Sequence, residues 1–154
     1  MILARRLLTS LIGLSFAAVA ACGDLFGPGR SELEINRDKW NERGYRDYSL
    51  IMTRACECLD IGPFAVTVRS DSVVAAVRTA DGAPARSYVP TVNQLFDFIQ
   101  KAIDDHAATI RVTYDAELGF PRTIAYDFST TLVDEEVNYK VDSLKPISTS
   151  LQSR

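Results

Sequence analysis

Cys56 and Cys58 stand one residue apart at the end of an apolar run, Arg54-Ala55-Cys56-Glu57-Cys58. Two thiols at that spacing can oxidise to a local disulfide, exchange electrons as a redox pair, or give two ligands to a soft metal. Extended residues two apart have Cα atoms roughly 6.6–7 Å apart. That is at or past the disulfide limit of about 6.8 Å, so a bond requires the strand to end or bulge at Glu57. So small a ring adds little by the loop-entropy argument, and a strained bond is more easily reduced. A metal site needs about four ligands. His106 is the only histidine, and no second thiolate pair exists. The first expectation is therefore a structural or oxidised pair, with redox and metal-handling roles as alternatives.

The other reactive groups are acidic: Asp115, Glu117, Asp127 and the run Asp134-Glu135-Glu136. Carboxylates in such numbers suit Ca²⁺, but the spacing is not that of an EF-hand loop. The plainer expectation is that Asp115 caps a loop and the run is a solvated turn. Tyr114-Asp115 with Gly119-Phe120-Pro121 is first of all turn chemistry: Gly119 permits positive φ and Pro121 fixes entry to the next strand. The same five residues are a candidate recognition loop. His106 falls just past a helix end, where the dipole favours a cation. No Gly-x-Ser-x-Gly elbow and no Gly-rich phosphate loop occurs. The expectation is a non-enzyme with no catalytic residue, no metal and no cofactor.

What these residues can do depends on compartment, which the amino terminus addresses. Arg5 and Arg6 precede an apolar stretch, Leu7 to Phe16, then small residues and Cys22. A positive start, a short apolar core and small residues before a cleavage point mark a removed signal. The stretch is shorter than the ~20 apolar residues that span a bilayer. Val19-Ala20-Ala21-Cys22 resembles a bacterial lipobox. That resemblance implies cleavage before Cys22 and an acyl anchor, palmitate included, on Cys22. More than one chain gives a stable hold on a membrane. In Gram-negative families an aspartate after the lipobox cysteine favours inner-membrane retention; Gly23 does not, so the expected destination is the outer membrane, facing the periplasm. Lipidation leaves Cys56 and Cys58 as a pair in a disulfide-permissive setting.

Cleavage leaves 154 − 21 = 133 residues, the size of one domain. Losing Arg5 and Arg6 takes the basic count from 17 to 15 against 20 acids, a net charge of −5. Nucleic-acid binding needs a clustered basic face and is not expected. The expected organisation is a signal over 1–21, a Gly/Pro tether over 22–30, one domain over 31–144 and a frayed Ser-rich tail over 145–154.

Within the domain, Ser31-x-x-Glu34 is a capping box opening a helix from Glu32 to Arg43, ended by Gly44. Its apolar side is thin, Leu33 and Trp40. Tyr48, Leu50 and Met52 share one face of a first strand running to Cys58. Phe64, Val66 and Val68 alternate in a second, and Val73–Arg78 returns as a third across a turn at Ser70-Asp71-Ser72. Thr91-x-x-Gln94 opens a second helix, Val92 to Asp105, with Leu95, Phe96, Ile99, Ala102 and Ile103 at helical spacing. Thr109–Tyr114, Arg122–Phe128 and Val137–Leu144 are three further strands. The fold class is α+β: an antiparallel sheet of about six strands with two α-helices on one side.

Trp40, Tyr48, Cys56-Glu57-Cys58, Thr91-Val92, Leu95-Phe96, Tyr114-Asp115, Gly119-Phe120-Pro121, Ile124, Asp127, Asp134 to Glu136 and Tyr139 together resemble a bacterial family of exported and lipid-anchored proteins, domain of unknown function 6174. The resemblance spans about Trp40 to Leu144. It departs from the family pattern at Ser70-Asp71-Ser72, which has no glycine. It implies location and fold and brings no catalytic residue. The functional expectation is a lipid-anchored envelope protein acting as a binding or interaction domain. Its partners would be the membrane, through the anchor, and an unidentified envelope protein.

Overall fold

Ser31 sits in extended conformation and its hydroxyl accepts from the Glu34 N–H, while the Glu34 carboxylate accepts from the Ser31 N–H at 2.8 Å. That reciprocal cap starts α1 (Glu32–Arg43), and Gly44 stops it at φ 62. The computed structural model describes residues 30–55, 62–128 and 137–147. Along them follow β1 (Tyr48–Ala55), β2 (Phe64–Arg69), β3 (Ser72–Arg78), α2 (Val92–Asp104), β4 (Thr109–Tyr114), β5 (Pro121–Asp127) and β6 (Val137–Pro146). Thr91 and Gln94 cap α2 in the same reciprocal way. At its far end the Ala107 N–H reaches the Ala102 carbonyl and the His106 N–H reaches Ile103, with His106 at φ 57. That is the left-handed closure usually built on glycine.

The six strands form one antiparallel sheet in the order β3-β2-β1-β6-β5-β4. Each half of the chain is a three-strand meander, and the halves meet where the first strand pairs with the last. Helix α2 links the two edge strands, β3 and β4, and so crosses the whole sheet. The alternation read from sequence fixes which face it covers. Tyr48, Leu50 and Met52 of β1 and Phe64, Val66 and Val68 of β2 are buried under the helices, with Ile124 and Val141. Leu33 and Trp40 of α1 and five residues of α2 close over them.

Three extra residues bend the sheet: Val74 in β3, Arg122 in β5 and Asp142 in β6 each oppose no partner across a register shift. Such bulges increase local twist. Strand β6 also continues past Leu144, with Lys145 opposite Ser49 and Pro146 opposite Tyr48. The Ile147 N–H then donates to the Asp47 carbonyl at 2.9 Å. Pairing with the start of β1 holds residues that their polar composition assigned to a frayed tail; residues 148–154 lie outside the described ones. The turn between β2 and β3 is tighter than expected. Ser70 and Asp71 alone form it, both at positive φ (47 and 62), the geometry that favours Asn-Gly. Neighbours hold it: Asp47 accepts from the Ser70 N–H at 2.8 Å, and Arg46 pairs with Asp71 at 2.7 Å.

Candidate functional site

The residues that carried the sequence-based chemistry divide into two groups. Cys22, Cys56, Cys58 and Asp134 to Glu136 lie outside the described residues. The last described residue before the thiols, Ala55, pairs with Asn138. The five residues of the candidate recognition loop are all in place. Asp115 accepts from the Glu117 and Leu118 N–H groups at 3.1 and 2.8 Å, and its own N–H donates to the Phe120 carbonyl. Lys39 and Arg43 of α1 donate to the carbonyls of Ala116 and Glu117. Gly119, at φ 80, lies so close to α1 that an added Cβ would stand 2.5 Å from the Asn36 carbonyl oxygen. Phe120 is 3 % exposed and meets Trp40 edge-on. The loop is clamped to α1, with its phenylalanine turned into the core.

Trp40 is the centre of that junction. Its ring meets Tyr45, Tyr48 and Phe120 edge-on at 5.8, 5.4 and 6.4 Å, and its indole N–H donates to Asn93 at 3.0 Å. The Tyr48 hydroxyl accepts from the Val92 N–H at 2.9 Å. Desolvation pushes the Tyr48 pKa up to about 12, against the opposing effect of that hydrogen bond. Asp115 and Asp127 stand apart, Asp127 opposite Thr109 at the other end of the hairpin. Among the described residues no group of three acidic, histidine or cysteine side chains is placed to hold a metal.

The two sheet edges differ, and the difference marks the site. The β3 edge is partly occupied by its own chain: the Arg78 N–H donates to the Ala83 carbonyl at 2.8 Å and the Ala85 N–H to the Ala76 carbonyl at 2.9 Å. A bulge at Val74 interrupts the rest. Both are common ways of blunting an edge. The β4 edge has neither: among the described residues nothing pairs with its outer side. Beneath it opens a groove of about 420 Å³ between the start of α1, α2 and β4, with Leu33, Ile99, Ile103, Ile110, Val112 and Tyr114 in its walls. Ile103 is 42 % exposed at the rim. Tyr114 stacks on Phe96 at 6.3 Å. Its hydroxyl pKa is pushed up to about 12 by desolvation and by Glu32, with Arg37 opposing. A bare strand edge over an apolar groove can accept an extended segment by main-chain hydrogen bonds and side-chain burial. The alternation of Ile110, Val112 and Tyr114 was visible in sequence; that β4 ends the sheet was not, because the sequence does not state strand order.

An open antiparallel sheet with both helices on one face, knitted at one aromatic junction, defines a small single-sheet α+β domain. The chain belongs to the family of unknown function DUF6174, whose model matches residues 32–146, from the start of α1 to the end of β6. No curated protein and no solved structure matches it.

Proposed function

We propose that this chain is a non-enzymatic binding module, held on a bacterial envelope membrane through acylated Cys22, that receives an extended segment of a partner along β4. The β4 edge, which no described residue pairs with on its outer side, carries the reading together with the groove beneath it. Strand addition draws affinity from backbone pairing and selectivity from pockets for alternate side chains, and this edge offers both. Cys56 and Cys58 are read as a structural pair. In Gram-negative cells the membrane is the outer one, facing the periplasm.

The test places a photo-reactive residue at Thr113, exposed on β4, or at Val74, exposed on β3, in the full chain expressed in bacteria. Adducts from Thr113 and none from Val74 are expected. Absence of adducts at Thr113 removes the reading. In the same cells the unaltered chain is expected in the membrane fraction and the Cys22→Ala chain in the soluble one; a Cys22→Ala chain that stays with membranes overturns the anchor.

A further inference from the structure

We propose that Arg54, Tyr126 and Tyr139 form a binding site for an organic oxyanion, a carboxylate or a phosphate, on the helix-covered face where β1, β6 and β5 run side by side. This site goes beyond the reading of the β4 edge and does not depend on it. Arg54 stands opposite Tyr139 in the β1–β6 register, and Tyr139 stands opposite Ile124 of β5. Tyr126 follows Ile124 by two residues and so shares its face. The guanidinium carbon of Arg54 lies 6.0 Å from the centre of the Tyr139 ring. Stacking on a ring uses the flat side of a guanidinium and leaves its in-plane N–H groups for an acceptor. Arg54 has no such acceptor. Its Nε is buried, and among the described residues it makes no hydrogen bond and no ion pair.

A second arginine of the same chain shows what is missing. Arg37 also lies over an aromatic ring, Phe96 at 5.4 Å, and also has a buried Nε without a partner. Its charge is met by the Asp97 carboxylate at 3.0 Å. No described carboxylate does this for Arg54. Asp105 is held by Lys101 at 2.6 Å. Asp127 follows Tyr126 directly in β5 and so falls on the other face of the sheet. Arg54 is thus a half-buried cation without a counter-charge, an arrangement that costs free energy until an anion meets it.

The neighbours of Arg54 are donors as well. The Tyr126 and Tyr139 hydroxyls make no hydrogen bond among the described residues. Burial pushes both pKa values up, with the Arg54 charge opposing in each. Both hydroxyls keep their protons at neutral pH and can donate to an anion. Tyr139 adjoins Phe98 at 5.7 Å, and Tyr126 adjoins Phe128 at 5.6 Å. Tyr88, beyond Phe98, and Phe128 are 56 % and 42 % exposed. Apolar rings around a few convergent polar groups suit an oxyanion carried on an organic body.

The test is an NMR titration of the ¹⁵N-labelled full chain with benzoate, with phenyl phosphate and with sodium chloride at matched ionic strength. Saturable shifts are expected at the Arg54 Nε–H and at the backbone N–H groups of Tyr126 and Tyr139 with an organic anion and not with chloride. Saturation by one probe alone assigns the class, carboxylate for benzoate or phosphate for phenyl phosphate. Arg54→Lys keeps the charge but loses the Nε–H and the planar fork. It is expected to weaken binding about tenfold, read at Tyr126 and Tyr139. Tyr126→Phe removes one hydroxyl and is expected to weaken binding about fivefold; it carries the test if Arg54→Lys fails to fold. No saturable shift with either organic probe overturns the site. So does a folded Arg54→Lys or Tyr126→Phe chain that binds as tightly as the unaltered one.

Discussion

The Tyr48 hydroxyl sits where a strand, a helix cap and the Trp40 ring converge, and it accepts from the first N–H of α2. Removing it leaves that N–H buried and unpaired, which costs about 1–3 kcal/mol. Tyr48→Phe is therefore expected to lower stability by that amount in denaturant melts at pH 7. Its pKa of about 12 also links stability to pH. Unfolded tyrosine ionises near 10. Below pH 10 both states keep the proton and stability is unaffected. Between pH 10 and 12 the unfolded chain loses the proton and the folded one holds it, so stability falls as pH rises, by about 1.4 kcal/mol per pH unit for this group. Tyr114 acts in the same direction, less strongly because water reaches it. Denaturant melts at pH 9, 10 and 11 check the slope, which should be shallower in Tyr48→Phe. Several residues of the family pattern belong to this junction: Trp40, Tyr48, Thr91-Val92 and Phe120 all touch it. Composition and spacing could identify such residues but could not separate recognition from packing. Phe120 looks the same in sequence whether it faces a partner or Trp40, and only the approach of Gly119 to α1 decides.

At the level of elements, local signals decided the outcome wherever they were sufficient. Both capping boxes mark true helix starts, and period-two alternation in β1 and β2 names the buried face residue by residue. Signals failed where a distant partner overrides composition. Lys145 and Pro146 read as tail, yet belong to β6 because β1 lies beside them. Ser70-Asp71 reads as part of a looser turn, yet closes in two residues because Arg46 and Asp47 grip it, with Asp47 held in turn by Arg69. That turn holds two side chains in left-handed backbone, a conformation costing roughly 1–2 kcal/mol per ordinary residue. Asparagine tolerates it better. Ser70→Asn is expected to raise stability by about 0.5 kcal/mol, read as a higher denaturant midpoint at unchanged slope. A lower midpoint would mean that the surrounding hydrogen bonds already offset the strain.

For the molecule as a whole, strand order was the piece missing from the sequence. Two helix-plus-meander halves were legible, but nothing in either half states that β1 seeks β6 rather than β3 or β4. That choice places β3 and β4 at the edges of the sheet. It also makes β6 the central joint. A chain ending before Val137 would lose the strand between β1 and β5 and leave both with open sides. Such a truncation is expected to show no cooperative unfolding transition, whereas removal of residues 148–154 should leave the transition in place.

The pairing of first strand with last also sets the order of events in folding. Tyr48 pairs with Val68 within the first meander, but its other side finds Pro146 only when the end of β6 has been made, and closing so long a loop is a slow, entropically opposed step. Each meander can form early, but the sheet cannot join until nearly the whole domain has emerged. The sheet therefore stays in two separate meanders until β6 is available to join them.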